Sequence, residues 1–326
     1  MILKDIFNNG ELFGASSAKN FRKLLAVPAV AASLAFGITA CSAVDDTPDI
    51  VVTTNILGDV VSHIVGDVVS HIVGDSADVQ VLMKPNADPH SFGVSAQDAA
   101  AMENADLIVA NGLGLEEGLQ SNVDNAKSQG VPVLEVGKHI DAIDYSPGVP
   151  DPHFWTDPAR MIAATEVIEA ELIKELDPSL TESITQSAQH YREELVALDE
   201  EVTELLSGVA PENRKLVTNH NVFGYLASRF NYTVIGTIIP GGSTLAAPSA
   251  SDLNDISTAI EDNNVPAIFT DTSSPQRLAE VLASNAGIDV QVVSIFTESL
   301  TDADGEAPTY ISMQKINAER IASTLS

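Results

Sequence analysis

From about residue 48 onward, short and nearly continuous apolar runs alternate with longer amphipathic segments. The runs at 50–55, 78–82, 106–110, 131–136, 215–219, 233–239, 266–270 and 290–295 are rich in Val and Ile and read as buried strands. Between them, 95–104, 115–128, 251–263, 275–285 and 309–324 carry helical spacing. Strands that are apolar on both faces and separated by helices form parallel sheets covered on both sides. The expected fold class is therefore α/β.

One segment breaks the alternation. Ile184, Ala188, Tyr191, Leu195, Leu198, Val202 and Leu205 recur at intervals of four and three, a single stripe on a helix over about 179–207. Asp177-Pro178 closes the preceding element. Such a helix is roughly 43 Å long, more than one small domain needs, so it is expected to run across two lobes of parallel sheet and join them. The expected layout is a lobe at 49–178, a linking helix at 179–208 and a second lobe at 209–326.

The N-terminus has a different character. Lys19, Arg22 and Lys23 precede the apolar run LLAVPAVAASLAFGI at 24–38 and then Thr39-Ala40-Cys41. A basic patch, a short apolar stretch and small residues before a cleavage point make a secretory signal over 1–40, too short to be a membrane span. Cys41 is the only cysteine, which excludes an internal disulfide and a multi-cysteine zinc site. Its ITAC context resembles the lipobox of bacterial lipoproteins. That resemblance implies a lipidated Cys41, an extracytoplasmic location at the membrane and a flexible tether at 41–48. Ordinary cleavage nearby, leaving an incidental thiol, is the plainer alternative.

Charge narrows the partners. The chain has 16 basic and 46 acidic residues, a net of −30, and the part after the signal carries −32. Such a body repels nucleic acid and anionic membranes and gathers cations around itself. A solvated acidic exterior explains most of it.

Candidate chemistry lies with the histidines. The octapeptide VVSHIVGD occurs twice in tandem over 60–75. In a continuous helix His63, Asp67, His71 and Asp75 share one face, but the two histidines stand about 12 Å apart along the axis, too far to share an ion. Three other histidines follow strands: His90 in MKPNADPHSF, His153 in DPHFWTDP ahead of a helix, and His220 in VTNHNVFGYL. Ligands of parallel sheets bind beyond the carboxyl ends of strands, so these three suggest a cleft between lobes. A lone histidine is more often a hydrogen-bonded surface or core residue, and spacing alone leaves the two readings balanced. NGLGLEEG at 111–118 lacks dinucleotide-binding spacing and reads as a turn. PGGST at 240–244 reads as a loop. Asp157 and Arg160 either support His153 or pair with each other.

The elements VVTTNILGDVV, VLMKPNADPHSF, DLIVANGLGLE, DPHFWTDPARM, VTNHNVFGYLA, VSIFTESL and TYISMQKINAERIA, in this order, resemble the zinc/manganese solute-binding lipoproteins of bacterial ABC importers. The resemblance implies two α/β lobes joined by a backbone helix, with the metal held between them. Carried over motif by motif, it implies ligation by His90, His153, His220 and the acid of the IFT-acid-S motif, Glu298. Aspartate is usual at that last position, so Glu298 departs from the pattern, and Asp271 in PAIFTD is the second choice. Three imidazoles and one carboxylate fill a tetrahedral zinc shell, whereas manganese prefers more oxygen, so Zn²⁺ is expected and Mn²⁺ is the alternative. The His-rich loop of many zinc-type members is reduced here to His139. The implied partners are the metal ion and a membrane permease, with the protein a monomer. A zinc hydrolase using Glu298 as base is the competing class, disfavoured by the fourth protein ligand. Some family members are also ascribed adhesion, on which these residues are silent. His63 and His71 are then decoys, and the second octapeptide an insertion away from the chemistry.

Overall fold

The computed structural model describes residues 48–69 and 78–326. The signal, the tether, Cys41, His71 and Asp75 lie outside the described residues. Two four-stranded parallel sheets organise the rest. The first contains β1 (Asp49–Val52), β2 (Asp78–Val81), β3 (Leu107–Ala110) and β4 (Val133–Glu135) in the order β2-β1-β3-β4. Its helices are α1 (Asn55–Val69), α2 (Ala96–Asn104) and α3 (Gln120–Ser128). A short antiparallel hairpin follows, β5 (Asp144–Ser146) with β6 (Val149–Pro150). Next come α4 (Pro158–Glu175) and α5 (Thr181–Gly208).

The second sheet has β7 (Lys215–Thr218), β8 (Thr233–Thr237), β9 (Ala267–Asp271) and β10 (Gln291–Ile295) in the order β10-β9-β7-β8. Its helices are α6 (Gly224–Phe230), α7 (Ala250–Asp262), α8 (Arg277–Asn285) and α9 (Tyr310–Leu325). In each sheet the first strand has the second on one side and the third on the other. The two lobes thus repeat one topology, and each has a switch point beside its first strand, β1/β3 and β7/β9.

Alternation along each strand separates the layers. Ile50, Val52, Leu107 and Val109 face a core shared with α1, α4, α5 and α9, while Val51 and Ile108 face the layer around Met102 and Val123. In the second sheet Leu216, Phe269 and Ile295 join that same shared core, and Val217 and Ile268 turn outward to Ile256, Ile260 and Leu282. One continuous apolar core therefore runs through both lobes, with α5 as its axis.

The long helix forms as its stripe predicts, with one change at its end. Ile184 through Val202 are buried, but the last buried position is Leu206, not Leu205. A strict 3.5-residue stripe drifts about 20° per heptad on a straight 3.6-residue helix, so after three heptads the next position takes over. The segment 115–128 is helical only from Gln120. Before it, Gly112, Leu113 and Gly114 hold positive φ, and Gly118 lies so close to the Phe92 carbonyl that a Cβ would stand 2.3 Å from its oxygen.

Candidate metal centre

His90, His153, His220 and Glu298 come from four different loops and converge on one point. One ligand-type atom from each lies within 4.8 Å of all the others, and every side chain is at most 1% exposed. Two of the loops begin alike. Asp88-Pro89-His90 and Asp151-Pro152-His153 both turn with the aspartate Oδ1 accepting the histidine N–H, at 2.9 and 3.0 Å. A repeated DPH is a readable signal for this device, and the sequence reading attached no role to either aspartate.

The same Asp151 oxygen also accepts Nδ1–H of His153 at 2.7 Å, which fixes the ring with Nε2 facing the cluster. Gly224 leaves the room for this carboxylate, since a Cβ there would stand 2.4 Å from Asp151 Oδ2. His220 stands two residues past the end of β7, and Thr218 Oγ1 donates to its carbonyl at 2.6 Å.

Glu298 sits on a loop after β10 that is held from several sides. Asp271 Oδ2 accepts from Thr297 N, Thr297 Oγ1 and Glu298 N at 2.7, 2.6 and 3.2 Å, and its Oδ1 accepts from Ser273 N at 2.7 Å. Through these bonds Asp271 holds the acidic loop in place. Asn317 brackets Phe296 through both its amide atoms, and Trp155 Nε1 donates to Thr297 O at 2.8 Å. From the other lobe Asn55 bonds Ser299 Oγ and Leu300 N, and Asn86 N donates to Leu300 O.

The internal spacing suits one small cation. A tetrahedral shell with nitrogen distances of about 2.0–2.1 Å has ligand-to-ligand edges of about 3.3–3.4 Å. Here His90 Nε2 and His153 Nε2 are 3.3 Å apart, His220 Nε2 and Glu298 Oε1 3.0 Å, and His90 Nε2 and Glu298 Oε2 3.8 Å. The 3.0 Å approach of His220 to Glu298 lacks hydrogen-bond alignment. Both Glu298 oxygens, both His220 ring nitrogens and His90 Nδ1 are left without a hydrogen-bond partner. Buried polar atoms are normally satisfied, so the unpartnered Glu298 oxygens and His220 Nε2, gathered beside the Nε2 atoms of His90 and His153, mark a place for a charged ligand.

Electrostatics agree. Burial disfavours a charged Glu298, but the three imidazoles, His220 foremost, outweigh it and hold its pKa down at about 2. Burial pushes His90 down to about 4, against the pull of Glu298. Burial acts the same way on His220, yet Glu298 prevails and raises its pKa. The site thus presents an ionised carboxylate and at least one neutral imidazole.

The other residues singled out in the sequence fall elsewhere. Asp157 caps α4 and pairs with Arg229 and Arg160, without touching His153. His139 is exposed at the end of a 3₁₀ turn. The NGLGLEEG turn places Glu116 under β1 and β3, and the 240–244 loop is tied to the His90 loop by Thr244 Oγ1 donating to Asp88 Oδ2 at 2.6 Å. His63 lies on α1, stacked on Tyr191 at 4.6 Å, with Nδ1 2.8 Å from the Asp59 carbonyl oxygen.

Two parallel lobes bridged by one helix, with three imidazoles and a carboxylate buried between them, define a metal-binding receptor. The chain belongs to the family described as zinc-uptake complex component A, periplasmic, whose pattern matches residues 50–324. The family consists of metal-binding receptors that work with ABC transporters and are not enzymes. The chain is 32% identical over 299 residues to the zinc-binding protein TroA of Treponema pallidum, covering 87% of this chain and 91% of that one. It is 28% identical over 279 residues to the manganese-binding lipoprotein MntA of Halalkalibacterium halodurans, covering 85% and 88%. The solved structure of the Treponema pallidum periplasmic zinc-binding protein superposes with a TM-score of 0.78 at 29% identity, over 86% of this chain and 99% of that one.

Proposed function

We propose that this protein captures Zn²⁺ through His90, His153, His220 and Glu298 and delivers it to the permease of an ABC importer. It acts outside the cytoplasm, as a monomer held to the membrane by a lipidated Cys41. Its working parts are lobes at 49–178 and 209–326 with a linking helix at 179–208. The observation that carries the reading is the 3.3 Å approach of two imidazole nitrogens beside a carboxylate with no hydrogen-bond partner. Neutral imidazoles and one carboxylate suit zinc better than manganese.

Manganese is the second reading. It is favoured by the unengaged state of both Glu298 oxygens, which permits a two-oxygen contact, and by the kinship to a relative named as manganese-binding. A titration of the metal-free protein against a chromophoric chelator separates the two. Zinc bound one to one, with manganese at least about a thousandfold weaker, supports zinc capture; equal or preferential manganese binding overturns it.

A further inference from the structure

The repeated topology of the two lobes gives an internal control for what a filled switch-point crevice looks like. In the first lobe the crevice beyond β1 and β3 is filled by the chain itself. Glu116, 2% exposed, inserts there and accepts from Thr53 Oγ1 at 2.6 Å, Asn111 N at 2.7 Å and Gly112 N at 3.1 Å. Every group at that crevice finds its partner within the protein.

The corresponding crevice beyond β7 and β9 has no such plug. It opens into a cavity of about 600 Å³. Asn219, the first residue after β7, occupies the place that Thr53 has after β1, and it lines this cavity. Asn219 is 6% exposed and neither its Oδ1 nor its Nδ2 has a partner; Thr270, 3% exposed on β9, likewise has an unpartnered Oγ1. Two buried polar side chains left unpaired on one cavity wall call for a ligand that supplies both a donor and an acceptor.

The start of α8 adds a charge to the lining. Arg277, Leu278 and Ala279, the first three residues of α8, all line the cavity. This helix start has no side-chain cap, so the amides of its first turn are open to an anion. The Arg277 side chain is exposed at the rim. Ile238, Leu278 and Val281 supply an apolar floor. Asp88 lines the cavity as well, but its oxygens are engaged by His90 N and Thr244 Oγ1, and the other features point to one kind of molecule.

We propose that this cavity is a second binding site, for a small organic carboxylate that carries an apolar body and an amide. The carboxylate meets Arg277 and the start of α8, the amide pairs with the Asn219 carboxamide and Thr270, and the body packs on the apolar floor. None of the four proposed metal ligands lines the cavity, so the site goes beyond metal capture and does not rest on it.

The test is calorimetric titration of the zinc-loaded full chain with N-acetyl-L-phenylalanine, which combines all three features. Saturable one-to-one binding is expected, weakened at least about tenfold by Arg277→Ala, by Asn219→Leu and by replacing the probe's carboxylate with a carboxamide. Arg277 is exposed, so its variant folds even where Asn219→Leu does not. Zinc affinity of Arg277→Ala, measured in parallel, is expected to stay within about twofold of the parent, as charge removed outside the metal shell leaves its ligands in place. Absence of saturation at millimolar probe, or saturable binding that Arg277→Ala and the uncharged probe both leave unchanged, overturns the proposal.

Discussion

Two of the places where this molecule sets histidine beside an acidic residue behave oppositely. On α1, His63 sits beside Asp59, with Nδ1 2.8 Å from a backbone oxygen of its own helix and the ring stacked on Tyr191. Asp59 spends its Oδ2 on Tyr310 N at 2.9 Å, and burial raises its pKa. Each group is used up locally. Around Glu298, by contrast, three imidazoles and a carboxylate from four loops leave both carboxylate oxygens and His220 Nε2 unpartnered in a buried pocket. Convergence of unused donors makes a site; density of His and Asp in the sequence does not. His63, the histidine of the first octapeptide copy, finds its acceptor one turn back on its own helix.

The comparison can be broken first at its stronger end. Alanine at His90, His153 or His220 is expected to lower zinc affinity by orders of magnitude, read by chelator competition with the fold checked by circular dichroism. Parent-like affinity in all three variants would remove the site. Asp151→Asn keeps the Asx turn in shape but weakens the carboxylate that fixes His153, and a loss of about 10- to 100-fold is expected.

Acidity gives the next effect. Glu298 raises His220 above the ordinary histidine value, so metal must displace a proton there even slightly above pH 6.5. The sign follows: protons compete with metal, and affinity falls as pH drops, by about tenfold per unit for each proton displaced. A flat affinity from pH 8 to 5.5 would mean that the imidazoles do not ligate.

The smallest effects belong to α1. His63→Ala is expected to leave zinc affinity unchanged while costing about 1 kcal/mol of stability through the lost stacking on Tyr191, measured by denaturant melts. Deleting residues 68–75 should leave affinity within a few-fold, and a hundredfold loss would make the repeat part of the chemistry.

Most of the α/β alternation was legible because strands buried on both faces announce themselves as unbroken Val/Ile runs. The β5–β6 hairpin and α6 were not, since DYS, VP and the seven residues of α6 are too short to carry a period. His90, His153 and His220 could be found from their places after strands, but Glu298 needed a family resemblance. No local pattern distinguishes it among 46 acidic residues. The hold of Asp271 on the Glu298 loop was not legible either: Asp271 receives donors from residues 26 and 27 positions away, which no sequence window reveals.

The Glu298 loop is suspended like a bridge deck with piers on both banks. Asn55 and Asn86 hold it from the first lobe, Asp271 and Asn317 from the second. A pull that parts the lobes loads both piers, and the side anchored on an amide gives way before the side anchored on a carboxylate, whose charge-assisted bonds are roughly twice as strong. Glu298 then travels with His220, while His90 and His153 stay behind. Any parting of the lobes would therefore divide the four side chains into two pairs at once, rather than withdraw them one by one.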